Sequence, residues 1–138
     1  MRHSPVKQLS DTEFLFQFEN QTLNVRHFNH IGHLRLAWLY LNRYDVDTAV
    51  KFACAGIQAY SVSLGASRKF HVTITDALVR IMAQRRDIMR EKEWELFLVE
   101  NKDLVEDALS VLDQYFSRAL LFSEQARTSL VQPDRKPL

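Results

Sequence analysis

The chain has 138 residues, 46% of them apolar and 25% charged, with only three glycines and three prolines. That is the size of one domain with a core of its own, and so few turn formers exclude a hairpin-rich all-β fold. Eighteen basic against seventeen acidic residues leave a formal charge of +1, which supplies no field of one sign to gather nucleic acid.

Ser10-Asp11-Thr12-Glu13 has the spacing of a capping box. Phe14, Leu15 and Phe18 then share one side of a short helix that fades near Asn20-Gln21-Thr22. A second helix is predicted from Asn29, a good N-cap, to about Asn42. Its stripe of Leu34, Ala37, Trp38 and Leu41 is widened by Leu36 and Leu39, so most of its circumference should be buried. Asp45 caps a third helix, in which Val46, Val50, Ala53, Ile57, Tyr60 and Leu64 step by four and three. Gly65 follows as a residue able to take a positive φ.

Ser67 is the predicted cap of a fourth helix, with Phe70, Ile74, Leu78, Ile81 and Met82 inward and an end near Arg90. Trp94, Phe97 and Leu98 mark a short fifth helix ending near Asn101. Leu104, Ala108, Val111, Leu112 and Tyr115-Phe116 predict another, and a final turn starts at Ser123. The expected architecture is all-α: a compact bundle of about four main helices plus short C-terminal helices. It forms a single domain over 1–138, with 1–9 and 132–138 as flexible ends.

The single cysteine, Cys54, has no disulfide partner in the chain, and its alanine and glycine neighbours suit a small core residue better than a nucleophile. A lone cysteine, no apolar leader after Met1 and no apolar run near ~20 residues predict a cytoplasmic protein that does not span a membrane.

No phosphate loop, H-E-x-x-H, G-x-S-x-G or paired-cysteine pattern is present. What remains is histidine. Besides His3 and His27, a loop residue, the chain carries His30, His33 and His71. His30 and His33 are three apart and fall on one helix face. Both lie in a first helical turn, where the helix dipole keeps imidazole neutral, the form a metal needs. His71 is expected in the first turn of its own helix. If the second and fourth helices both run against the third, all three histidines share one end of the bundle. They could then hold zinc, iron or nickel with positions left open, and Glu19 could add an oxygen ligand. The same set also suits a metal-free pocket that binds or protonates a small molecule, or three structural histidines without chemistry. Arg35 could bind a carboxylate or phosphate, and Thr75, four residues after His71, could orient a ligand. The basic face of Arg80, Arg85, Arg86 and Arg90 is neutralised by Asp87, Glu91 and Glu93.

The runs Phe28-Asn29-His30-Ile31-Gly32-His33-Leu34-Arg35-Leu36-Ala37-Trp38-Leu39-Tyr40-Leu41 and Lys69-Phe70-His71-Val72-Thr73-Ile74-Thr75, together with Trp94 to Leu104 and Pro133-Asp134-Arg135, resemble a set of small bacterial proteins without assigned activity. Their pattern is F-x-H-x-x-H-L-R-x-A-W-x-Y-L, K-[FY]-H-x-T-x-T and a closing proline-aspartate-arginine. The resemblance implies that His30, His33, Arg35, Trp38, His71 and Thr75 belong to one motif set. Gly32 and Val72 stand where the pattern often has acids.

Two classes of function follow from the sequence. One is a small-molecule or divalent-metal site built from His30, His33 and His71, with Arg35, Trp38 and Thr75 as a second tier. The other is a non-enzymatic interaction module, a homo-oligomer using Trp94, Phe97 and the C-terminal helices.

Overall fold

The computed structural model describes residues 8–138. His3 and the rest of residues 1–7, the greater part of the expected flexible start, lie outside the described residues. Within them the chain forms nine α-helices and no strand. These are α1 (Asp11–Glu19), α2 (His30–Arg43), α3 (Val46–Ser63), α4 (Val72–Asp87), α5 (Trp94–Glu100), α6 (Lys102–Glu106), α7 (Ala108–Leu112), α8 (Arg118–Leu121) and α9 (Glu124–Thr128). Short 3-10 turns at Val25–His27 and Ser67–Lys69 lead into α2 and α4.

Helices α2, α3 and α4 pack on one another, α1 lies on α3, and α9 lies on α4. Leu34 and Leu36 of α2, Ala49 and Ala53 of α3, and Ile81 and Met82 of α4 are buried between them. Each large side chain of this kind stabilises the fold by about 1.5–3 kcal/mol. The α2 stripe is buried as wide as its sequence predicts, from Leu34 through Leu41 with only Arg35 part-exposed. A second apolar cluster joins Trp38 to Trp94 and Phe97, at ring separations of 5.9 and 5.1 Å. The Arg86 guanidinium lies 5.1 Å from the Trp38 ring centre in a cation–π contact, and its own buried Nε has no hydrogen-bond partner.

Several caps form as the sequence reads. Ser10 Oγ accepts from Glu13 N, Asn29 Oδ1 from Gly32 N, and Asp45 Oδ1 from Thr48 N. Gly65 closes α3 at φ 68°. The capping box at Ser10 is only half made, because the Glu13 carboxylate accepts from Gln17 Nε2 instead of reaching back.

Three boundaries differ from expectation. Ser67 does not cap α4 but opens the 3-10 turn before it, and the cap is His71, whose Nδ1 accepts from Ile74 N at 3.0 Å. Helix α4 also stops at Asp87 rather than near Arg90. The helix expected from Leu104 to Phe116 is broken into α6 and α7 at Asp107, which leaves helical geometry (φ −151°, ψ 63°) and turns its carboxylate onto Ser110. Such local side-chain bonding competes with helix continuation.

The C-terminal tail lies on the surface but is tied down. Asp134 accepts from both the amide and the hydroxyl of Ser117, and Arg135 Nη1 donates to the Asp113 carbonyl. Buried Thr73 joins α4 to the same region, donating to Ser129 O and accepting from Val131 N.

Gly32 is set by close approach, not by φ. A Cβ there would lie 2.2 Å from the His27 carbonyl oxygen, so any side chain at this place would force that carbonyl or the helix start to shift. Gly32→Ala should therefore lower stability by about 1–3 kcal/mol despite alanine's higher helix propensity. A denaturant melt followed by circular dichroism checks this, and a more stable variant would contradict the close contact.

Candidate functional site

Between the N-terminal ends of α2 and α4 lies a cavity of about 430 Å³. Its floor is apolar, made by Leu34 and Ala37 of α2, Ala53 and Ile57 of α3, and Ile74, Leu78, Val79 and Met82 of α4. Its polar lining is Asn29, His30, His33, Lys69, His71 and Thr75, with Phe28 and Phe70 completing the wall. The two helix starts meet because α3 connects them and runs back the other way. All three expected histidines and Thr75 line this one space.

Arg35 and Trp38 do not. They follow His30 and His33 by five residues each, about 140° further round the helix. Arg35 Nη2 donates to the Leu9 carbonyl and to Asp11, and its guanidinium sits 4.6 Å from the Phe14 ring centre. It ties the start of α1 to α2. Trp38 is buried against Trp94 and Phe97. Glu19 is not among the cavity residues either.

The hydrogen bonds of the histidines fix their protons, since a carbonyl can only accept. His33 Nδ1 lies 2.9 Å from the Asn29 carbonyl oxygen, so Nδ1 carries the proton and Nε2 the lone pair. Its ring stacks on Phe28 with centres 3.9 Å apart and planes at 28°. Burial pushes the His33 pKa below 6.5, the Asn29 bond partly opposing this and His30 adding to it. His33 is therefore a neutral imidazole at neutral pH, with Nε2 free.

His71 is different. Nδ1 accepts from Ile74 N and Nε2 donates to the Leu121 carbonyl at 2.8 Å, so both nitrogens are spent. His30 Nε2 donates to the Leu104 carbonyl at 2.9 Å. Leu104 and Leu121 lie in the short helices α6 and α8, whose last carbonyls lack helical partners. The two histidines supply those partners and hold the C-terminal helices against the bundle.

Among the described residues no group of three or more His, Cys, Asp and Glu side chains is placed to hold a metal ion. The expected zinc, iron or nickel set of His30, His33 and His71 meets a specific obstacle at His71, which has no lone pair to give. Sequence reasoning missed Phe28 and Lys69 as members of the wall, although both stand inside the quoted runs. The signal was available for Phe28, the aromatic five residues before His33 across a turn, but not for Lys69.

Elsewhere, Cys54 is half-buried and burial pushes its thiol up to about 11, so it stays protonated. Of the expected basic face, Arg80 and Arg85 are paired, though not with the acids expected. Arg80 bridges Asp76 and Asp47, and Arg85 makes a two-pronged pair with Asp103. Among the described residues no helix is long and apolar enough to cross a membrane.

Burial also pushes the His71 pKa below 6.5, with the Leu121 bond opposing and the Arg127 charge assisting. Both His33 and His71 thus bind a proton less readily folded than unfolded. Their contribution to stability is full above the unfolded pKa of about 6.5 and is lost as pH falls through that value toward the folded pKa. Protonation also destroys the His71 cap, because Nδ1–H cannot accept. The parent Tm should fall from about pH 7.5 to about pH 5.5. His71→Asn, a cap that does not titrate, should melt lower at the higher pH yet lose less on acidification. A variant that loses as much as the parent would contradict this assignment.

Comparison with protein-family models, curated proteins and solved structures gives no match for the chain.

Proposed function

We propose that the protein binds a small organic molecule in the cavity between the N-terminal ends of α2 and α4. The ligand's apolar body rests on Ile74, Leu78 and Met82, and its polar head meets His33. The observation that carries this reading is a neutral imidazole with one free nitrogen at the wall of a cavity with an apolar floor. The cavity volume falls in the range of small-molecule sites. A histidine needed only for packing does not need a carbonyl tether, a stacked ring and an open nitrogen together. The same nitrogen, neutral near pH 7, is also suited to take a proton from a bound acid.

The metal reading is weaker, because both nitrogens of His71 are engaged. The oligomer reading loses its expected anchors: Phe97 is fully buried and Trp94 is half-buried against it within the fold.

The test is a fragment screen by NMR on protein labelled at the methionine methyls and histidine rings. Aromatic fragments are expected to shift the Met82 and His33 signals together. Leu78→Trp, which fills the cavity, should abolish those shifts while circular dichroism reports an intact helical fold. Fragments that shift neither signal, or that bind the filled variant equally well, would overturn the proposal.

A further inference from the structure

The imidazoles and the hydroxyl around the cavity have already given away their protons, while the Asn29 amide and the Lys69 ammonium keep theirs. His33 Nδ1–H goes to the Asn29 carbonyl, His30 Nε2–H to the Leu104 carbonyl, and His71 Nε2–H to the Leu121 carbonyl. The Thr75 hydroxyl donates to the His71 carbonyl at 2.8 Å. What these side chains keep is lone pairs, above all Nε2 of His33 and Thr75 Oγ1. His71 keeps nothing. Arg86 Nε, in a residue that does not line the cavity, is the only described side-chain atom both buried and without a partner in a residue that is not exposed. The half-buried His33 therefore has its free Nε2 open to an incoming group.

We infer that the cavity selects a neutral hydrogen-bond donor on an apolar body, and specifically a phenol. This inference rests on the ligand-binding reading above and names its ligand class. An ammonium ligand would donate to the same lone pairs, but among the described residues no carboxylate lines the cavity to offset its charge, and Lys69 repels it. Burying an unpaired cation is costly. A carboxylate ligand gains Lys69 and the Asn29 amide, yet it brings only acceptors to His33 and Thr75, and acceptors facing acceptors leave both of these unpaired. A phenol satisfies each constraint. Its acidic O–H donates to His33 Nε2, its ring lies on the Ile74, Leu78 and Met82 floor, and charge building on its oxygen is favoured by Lys69.

The test uses four molecules that share one body: para-propylphenol, its methyl ether para-propylanisole, para-propylbenzoate, and propylbenzene. Each is titrated into the full chain with the Met82 methyl as reporter. The phenol is expected to bind roughly tenfold tighter than both the ether and the benzoate, the size of one net hydrogen bond. His33→Phe keeps a stacked ring but removes Nε2, and there the phenol and the ether should bind alike. The ratio in the parent protein decides the matter even if that variant does not fold. Equal binding of phenol and ether would overturn the donor inference while leaving the cavity reading intact. Tightest binding by the benzoate would overturn it in favour of an anion site at Lys69. If none of the four binds, propylbenzene included, the cavity reading fails and takes this inference with it.

Discussion

Asn29 performs three bonds from one residue. Its side-chain oxygen accepts from Gly32 N and starts α2, its carbonyl accepts the His33 amide at 3.0 Å, and the same carbonyl holds the His33 ring proton at 2.9 Å. Any helix must satisfy the amides of its first turn. Here the solution to that local requirement also fixes the tautomer and direction of an imidazole. Phe28, the residue before the cap, then stacks on that ring and joins Phe18 and Tyr60 in the core. The cap, the ring and the aromatic cluster are thus one construction, and the cavity is its outer surface.

The other helix start is built on a related principle with different chemistry. At α4 the cap is itself a histidine, and its second nitrogen reaches the end of α8. His30 does the same for α6. Short helices of four and five residues cannot hold themselves in water, so α6 and α8 depend on tertiary anchors. Two of those anchors come from the cavity wall. The site and the C-terminal half of the fold are therefore coupled, because a change in protonation at His71 acts on an N-cap and on a helix-end carbonyl together. His33 stands outside this coupling, and for that reason its remaining nitrogen is available to a ligand.

Much of this was readable in the sequence, and for stated reasons. The caps at Ser10, Asn29 and Asp45 and the glycine after α3 follow rules of one residue type at one position, and such rules survive folding. The sharing of one cavity by His30, His33, His71 and Thr75 follows from positions at two helix starts and a three-helix alternation. Arg35 and Trp38 could have been set aside by helical angle alone. The function of His71 as a cap was not legible, because histidine is not among the residues favoured there and its acceptor nitrogen becomes one only in a single tautomer. The break at Asp107 was hidden for a similar reason: the apolar spacing from Leu104 to Phe116 is helical throughout, and one carboxylate turned toward Ser110 overrides it. Which ring protons are spent depends on carbonyls up to 74 residues away, and no local pattern carries that.

The central claim is that His33 presents an unprotonated Nε2 to the cavity while its Nδ1–H is held by Asn29. Two-bond proton–nitrogen correlation spectra of the histidine rings, recorded on the free protein at neutral pH, read this directly. A protonated, pyrrole-type Nδ1 and an unprotonated, pyridine-type Nε2 are expected for His33. An Nε2–H tautomer, or a doubly protonated ring at that pH, would contradict that claim.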